Sequence, residues 1–273
     1  MKVVLIALFT GLCYILNAQQ FSGTATYSSN TKVDITFDTT QIPPERLKMM
    51  KQMMRQQLQK EYTLKFNRTA SLFEEVEQLE QEGMMRGAGM MVMMAGGAGS
   101  KVYKRLADKQ SFEQLEFFGK VFLIHDSLED FNWKLGKETK QIGSYTCYKA
   151  TTTRQIITRT VSSEADEKSV DDTLQIEVTA WYTPQIPLNH GPDIYWGLPG
   201  LILEVNTDKT TILCTKIELK QEDKAIDQPT KGEEVTRGEF REIMEAKMAE
   251  MEKMRNGREQ RGPRGSFQIR MSR

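Results

Sequence analysis

The chain has 273 residues, 39% of them hydrophobic and 27% charged, enough for one large domain with a real core and a wet surface. Lys plus Arg and Asp plus Glu both number 37, so no global field draws it to nucleic acid or to an anionic membrane. Cysteine is too sparse for a disulfide scaffold, and no phosphate loop, dinucleotide fingerprint or zinc-ligand spacing occurs.

Met1-Lys2 followed by the apolar run Val3 to Leu16 reads as a secretory signal peptide, with cleavage expected near Ala18. The run is too short for a permanent span. Cys13 follows Leu12 rather than a small residue, so it reads as part of the apolar signal rather than a lipid-attachment site. Export leaves Cys147 and Cys214. They are either joined as one disulfide or are two separate buried thiols.

After the signal, Phe21–Ser28 and Lys32–Phe37 have strand character, with Ser28-Ser29-Asn30 as the expected turn. Pro43-Pro44 then introduces a helical run, expected over 45–60. Tyr62–Asn67 and Ala70–Val76 predict a second hairpin. Residues 84–100 are rich in methionine, glycine and alanine, and predict a loop inserted between strands. Lys101–Lys104, Phe112–Phe117 and Lys120–His125 return to strand character. Trp133–Leu135 is short and apolar, and Glu138–Lys149 reads as a turn leading into a strand that continues towards Thr153.

The charged, serine-rich stretch Val161–Asp172 predicts a solvated loop. Leu174, Ile176, Val178 and Ala180 alternate with polar residues, and Leu201–Val205 with Thr211–Leu219 predict a hairpin around Asn206–Lys209. Many strands with few helices between them predict a mainly β domain over 19–225: a curved antiparallel sheet or partly closed barrel with one inserted helix. Beyond it, in 226–273, Thr236 and Glu239 have the spacing of a capping box for a C-terminal helix. Met244, Met248, Met251 and Met254 mark one face of that helix. Six arginines against one glutamate in 255–273 predict a disordered basic tail, able to touch anionic lipid headgroups.

The segment Ala180–Val205 concentrates prolines, glycines and the four rings of Trp181, Tyr182, Tyr195 and Trp196. Leu198-Pro199-Gly200-Leu201 predicts a type II turn feeding an apolar strand, with Gly197 giving room for close packing. Such rings beside a rigid turn are a candidate binding surface: Trp181, Tyr182, Tyr195, Trp196, Leu198 and Pro199.

The six residues Gly197–Ile202 read Gly-Leu-Pro-Gly-Leu-Ile and resemble the signature of the GLPGLI family, exported proteins of Bacteroidetes-type bacteria with no assigned reaction. The blocks Asp126–Leu128, Trp133, Glu138–Lys140, Ile142-Gly143, Cys147 and Lys149-Ala150 resemble the family upstream. Ala180–Thr183, Ile186-Pro187 and Gly191-Pro192 resemble its middle block. The resemblance implies an exported, periplasmic or outer-membrane-associated protein.

Chemistry is sparse. His125 has Asp126 and Ser127 beside it, but neighbours on a strand face opposite ways, so they build no triad. His190, before Gly191-Pro192, reads as a solvated loop histidine. No catalytic residue and no cofactor is assigned. The expected role is docking a periplasmic or outer-membrane protein partner. Two alternatives stand beside it. One is a carrier of a lipid or other hydrophobic molecule in a curled sheet. The other is a copper(I) protein, with Met49, Met50, Met53, Met54, Met84, Met85, Met90, Met91, Met93 and Met94 as soft thioether ligands.

Overall fold

A computed structural model describes residues 22–32, 36–37, 45, 48–49, 58–76, 100–161, 170–220, 224–256 and 267–272. The expected signal peptide, most of the 45–60 helix, the 84–99 segment and the methionine pairs proposed as copper ligands lie outside these residues, apart from the exposed Met49.

The chain is mainly β and its sheet does not close. The strands are β1 (Ser22–Thr31), β2 (Thr36–Phe37), β3 (Gln59–Phe66), β4 (Ala70–Glu75), β5 (Lys101–Arg105), β6 (Gln110–Phe117) and β7 (Lys120–Ser127). They continue as β8 (Lys134–Ile142), β9 (Tyr145–Val161), β10 (Val170–Thr183), β11 (Leu201–Asn206), β12 (Thr210–Lys220), β13 (Glu233–Val235) and β14 (Phe267–Ser272). Helix α1 spans Arg237–Asn256. The spatial order is β13-β7-β6-β5-β4-β3-β1-β12-β11-β10-β9, and β8 pairs with β9.

Most neighbours pair antiparallel, some as hairpins and others, such as β1 with β12, across long stretches of chain. One pair departs from the expected pattern. β13 runs parallel to β7, because the chain crosses back to that edge after β12. A second departure is β1. It does not turn at Ser28–Asn30 but continues to Thr31, since it sits between β12 and β3 and both ladders extend through those serines. The first two predicted strands are therefore not hairpin partners.

The region around Gly143 also differs. The polar run 134–142 is a strand, and Gly143, with φ 57°, makes the turn into β9. β8 is exposed along nearly its whole length, which hides the apolar signal that marks a strand in sequence. β9 and β10 reach further than expected, to Val161 and from Val170. Phe267–Ser272, in the tail where composition predicts no structure, pairs with β9 as β14.

The apolar side chains fill both faces of the sheet. One cluster gathers Tyr27, Leu64, Phe66, Phe73, Leu201, Leu203, Cys147 and Cys214. Another gathers Phe131, Val178, Ala180, Tyr182, Tyr195, Trp196 and Leu198. The alternation of Leu174–Ala180 places its apolar residues inward, with Gln175 and Glu177 exposed. Helix α1 starts at the expected capping box: Glu239 N–H donates to Thr236 Oγ1 at 3.2 Å and Thr236 N–H to Glu239 Oε2 at 2.7 Å. Its first turns seat Phe240 edge-on to Phe117 and Phe122. Farther along that face Met254 is exposed.

Candidate functional site

The loop between β10 and β11 carries the glycine-proline motif. Its geometry is a three-residue turn centred on Pro199, closed by Gly200 N–H to Leu198 O at 2.8 Å, rather than the expected type II turn. Leu201 N–H turns away to Ile186 O at 2.9 Å, so the bond a type II turn wants is given to the neighbouring segment. Gly200 lies so close to the Thr183 carbonyl that a Cβ would overlap it. Gly197 is required for a different reason than close packing: its φ is 91°, and its missing Cβ would meet nothing nearer than 4.0 Å.

The sequence-predicted binding residues divide between two surroundings. Tyr182, Tyr195, Trp196 and Leu198 are buried together in one cluster. Trp181 packs against the other cluster, with the Lys140 ammonium 4.6 Å from its ring centre and Lys140 paired to Glu204 at 2.5 Å. Pro199 is exposed. Cys147 and Cys214 share a cluster as free thiols, not a disulfide. Burial raises both, Cys147 to about 11 and Cys214 to about 12.

The buried rings pack behind a cleft that Phe131 lines. Trp196 Nε1 donates to Glu129 O at 2.8 Å, and Trp133 Nε1 donates to Trp196 O at 2.8 Å. Phe131 stacks against Trp133 at 5.4 Å and tilts against Tyr195 at 5.3 Å. The 129–133 segment is thereby clamped onto the motif loop. Above it lies a shallow cleft of about 230 Å³ between Glu129–Asn132, Lys134 and Thr152–Arg154.

Arg154 makes a two-pronged pair with Glu129, 3.1 Å from Nε and 2.7 Å from an Nη, and also bonds the Tyr195 side chain. Burial works against its charge, yet those partners hold its pKa above the ordinary value. Burial is likewise the main reason Tyr195 is pushed up to about 12. Lys109 pairs with Asp130 at 3.6 Å. Lys134 makes no ion pair among the described residues. The backbone edge of β9 is also open here. Its ladder with β8 ends at Thr151 and that with β14 begins at Thr158, so positions 152–157 have no ladder partner on that side among the described residues.

Two buried bases lie beneath the motif loop. Lys104, wholly buried on β5, points its ammonium at the carbonyls of Gly191 (2.7 Å), Asp193 and Tyr195 (3.0 Å). Its three donors meet three acceptors. Burial drives its pKa down to about 7, with the Asp193 charge acting the other way. His190 is not solvated as a loop position suggests. It is completely buried, with Nε2 2.8 Å from Asn67 O.

Sequence reasoning missed Lys104, Glu129 and Arg154. A signal existed for Lys104: it is in phase with Val102 on a strand buried on both faces. Nothing local marks Glu129 or Arg154, which meet only through the fold.

The geometry defines an open β protein with a polar cleft beside a clamped aromatic loop, and no group of three or more His, Cys, Asp or Glu side chains is placed to hold a metal ion among the described residues. A family model described as "Protein of unknown function (Porph_ging)" matches residues 133–204, the stretch from β8 through the motif loop. That description assigns no function, and the match covers well under half of the chain. No curated protein matches the chain. Two solved structures of PNGF-II, in the C2 and P21 space groups, resemble it with a TM-score of 0.47 each, at 14% and 13% identity over 82% of this chain. The chain spans about a third of the length of those structures, 32% and 33%.

Proposed function

We propose that this is an exported binding protein of the cell envelope, of the GLPGLI type, and not an enzyme. Its cleft between Glu129–Lys134 and Thr152–Arg154 would dock an extended, acidic segment of a periplasmic or outer-membrane protein. The observation carrying this reading is an unladdered stretch of β9 backbone beside Lys134, a cation with no ion-pair partner among the described residues. The β9 backbone at 153–157, which has no ladder partner on that side among the described residues, offers a strand edge to an incoming segment, the mode in which main-chain bonds supply affinity. Arg154 answers Glu129 and Lys109 answers Asp130, which leaves Lys134 to meet an acidic side chain of the partner. The clamped 129–133 segment lowers the ordering cost of binding. The aromatic residues act beneath the surface, as the support of the cleft.

The test is cross-linking of the mature protein in its native envelope, with the cross-linked positions mapped by mass spectrometry. One dominant partner joined at 129–134 or 152–155, and lost on Lys134→Glu with the fold intact, is the expected result. A partner joined elsewhere, or retained equally by Lys134→Glu, would move the site. Finding no reproducible partner would overturn the reading.

A further inference from the structure

The strongest unused feature is the pair of buried bases under the motif loop. A carbonyl can only accept, so His190 must donate from Nε2 to Asn67 O, which leaves Nδ1 as the bare nitrogen of the neutral ring. Nδ1 is buried and has no hydrogen-bond partner among the described residues. The Lys104 ammonium is bonded to the carbonyl of Gly191, the residue next to His190, and its charge acts on the imidazole.

We propose that His190, set beside Lys104, makes the Asn189–Trp196 loop an acid-operated latch: a proton taken up at Nδ1 finds no acceptor in the closed fold, so the loop lifts to carry the imidazolium into water.

The surroundings give that proton no compensation. From β5 comes Lys104, a like charge. From the turn before β4 comes the Asn67 carbonyl, already bonded to Nε2. The loop's own Asp193 acts on Lys104, Tyr62 of β3 and Tyr195, while the influences on His190 are burial, Lys104 and Asn67. Tyr62 also faces Glu75. Burial first, and Lys104 second, hold His190 down to about 3 in the closed loop. An imidazole in water has an ordinary value near 6.5. The open loop therefore binds the proton better, and the balance shifts towards opening by about tenfold per pH unit below that value.

The lift has a consequence at the cleft. Tyr195 and Trp196 sit in the same loop, and they support Phe131, Arg154 and the Glu129 carbonyl. Opening removes the support behind Phe131 and Glu129 while the β11–β12 hairpin stays paired. The latch is a property of the loop alone and stands independently of any partner at the cleft.

The experiment is hydrogen exchange on the full exported chain at pH 7.5 and pH 4.5, corrected for the intrinsic pH dependence of exchange, comparing 189–197 with 201–214. In wild type the protection of 189–197 is expected to fall about a hundredfold at the lower pH, with 201–214 changing far less. His190→Gln keeps an N–H donor for Asn67 but has no proton to gain, and its loop is expected to lose that response. Equal protection at both pH values in wild type, or the same fall in His190→Gln, would overturn the proposal. Should the variant not fold, NMR titration of the wild-type imidazole decides. A His190 ring that stays neutral in the closed state well below pH 6 supports the latch, and one that titrates near 6.5 without loop opening overturns it.

Discussion

Trp133 donates its indole N–H to the main-chain carbonyl of Trp196, across a sequence separation of 63 residues. Trp196 in turn donates its own indole N–H to Glu129 O, four residues before Trp133. Two loops distant in sequence thus hold each other by crossed bonds, and the cleft lies over that junction. Trp133→Phe keeps a ring against Phe131 and Tyr195 but leaves the Trp196 carbonyl without its donor. The expected cost is about 1–2 kcal/mol in chemical denaturation, with faster exchange at 129–133 and 195–197.

Lys104 predicts an alkaline signature. Its folded value lies below its unfolded one, so between about 7 and the ordinary lysine range the unfolded chain binds more protons. Stability therefore rises with pH across that window and the contribution is lost as pH falls through the folded value. Lys104→Met removes the slope but strips a donor from three carbonyls at once, and is expected to destabilise the protein by about 2–4 kcal/mol at pH 9. Denaturant titrations of both proteins at pH 7 and pH 9 check it: the gap between them should widen at the higher pH.

The thiols give a simple test of redox state. Cys147 and Cys214 are buried and their pKa values raised to about 11 and 12, so little thiolate exists at pH 8. Both are expected to react with a thiol reagent in the unfolded protein and very slowly in the native one. A reductant should leave the melting temperature unchanged. A melting temperature lowered by reductant would mean the pair is joined.

Helix α1 is held at one end. Phe240 fills a pocket formed with Phe117 and Phe122, Ile243 and Met244 pack beside it, and Met254 is exposed. Phe240→Ala is expected to cost about 3–5 kcal/mol where the helix docks. Exchange protection should collapse over 237–248 while β9 and β10 keep theirs. A uniform loss across the chain would show instead that the helix is part of one cooperative core.

The hairpin of β11 and β12, the alternation on β10 and the Thr236–Glu239 cap were all readable from local pattern, because each depends on residues a few positions apart. The exposed strand β8 was not. With both faces wet it carries no apolar period, and its identity comes from pairing with β9. The motif loop was legible as important, and its rings were expected at a surface. Tertiary packing turned Tyr195 and Trp196 inward, where Phe131 packs against Tyr195, Trp196 Nε1–H meets the Glu129 carbonyl and Trp133 Nε1–H meets the Trp196 carbonyl.

By itself the sequence determined a mainly β chain, a helix begun by a capping box and a backbone path through the proline-glycine segment that only small or ring-locked residues can follow. Those properties rest on local sterics and short-range hydrogen bonds. Only the tertiary structure decided that Arg154 meets Glu129, that Lys104 enters a ring of carbonyls, that His190 is sealed from water and that β13 joins β7 in parallel. Each of these depends on long-range ladders that set which residues become neighbours, and on burial that changes the chemistry of a side chain whose letter in the sequence stays the same.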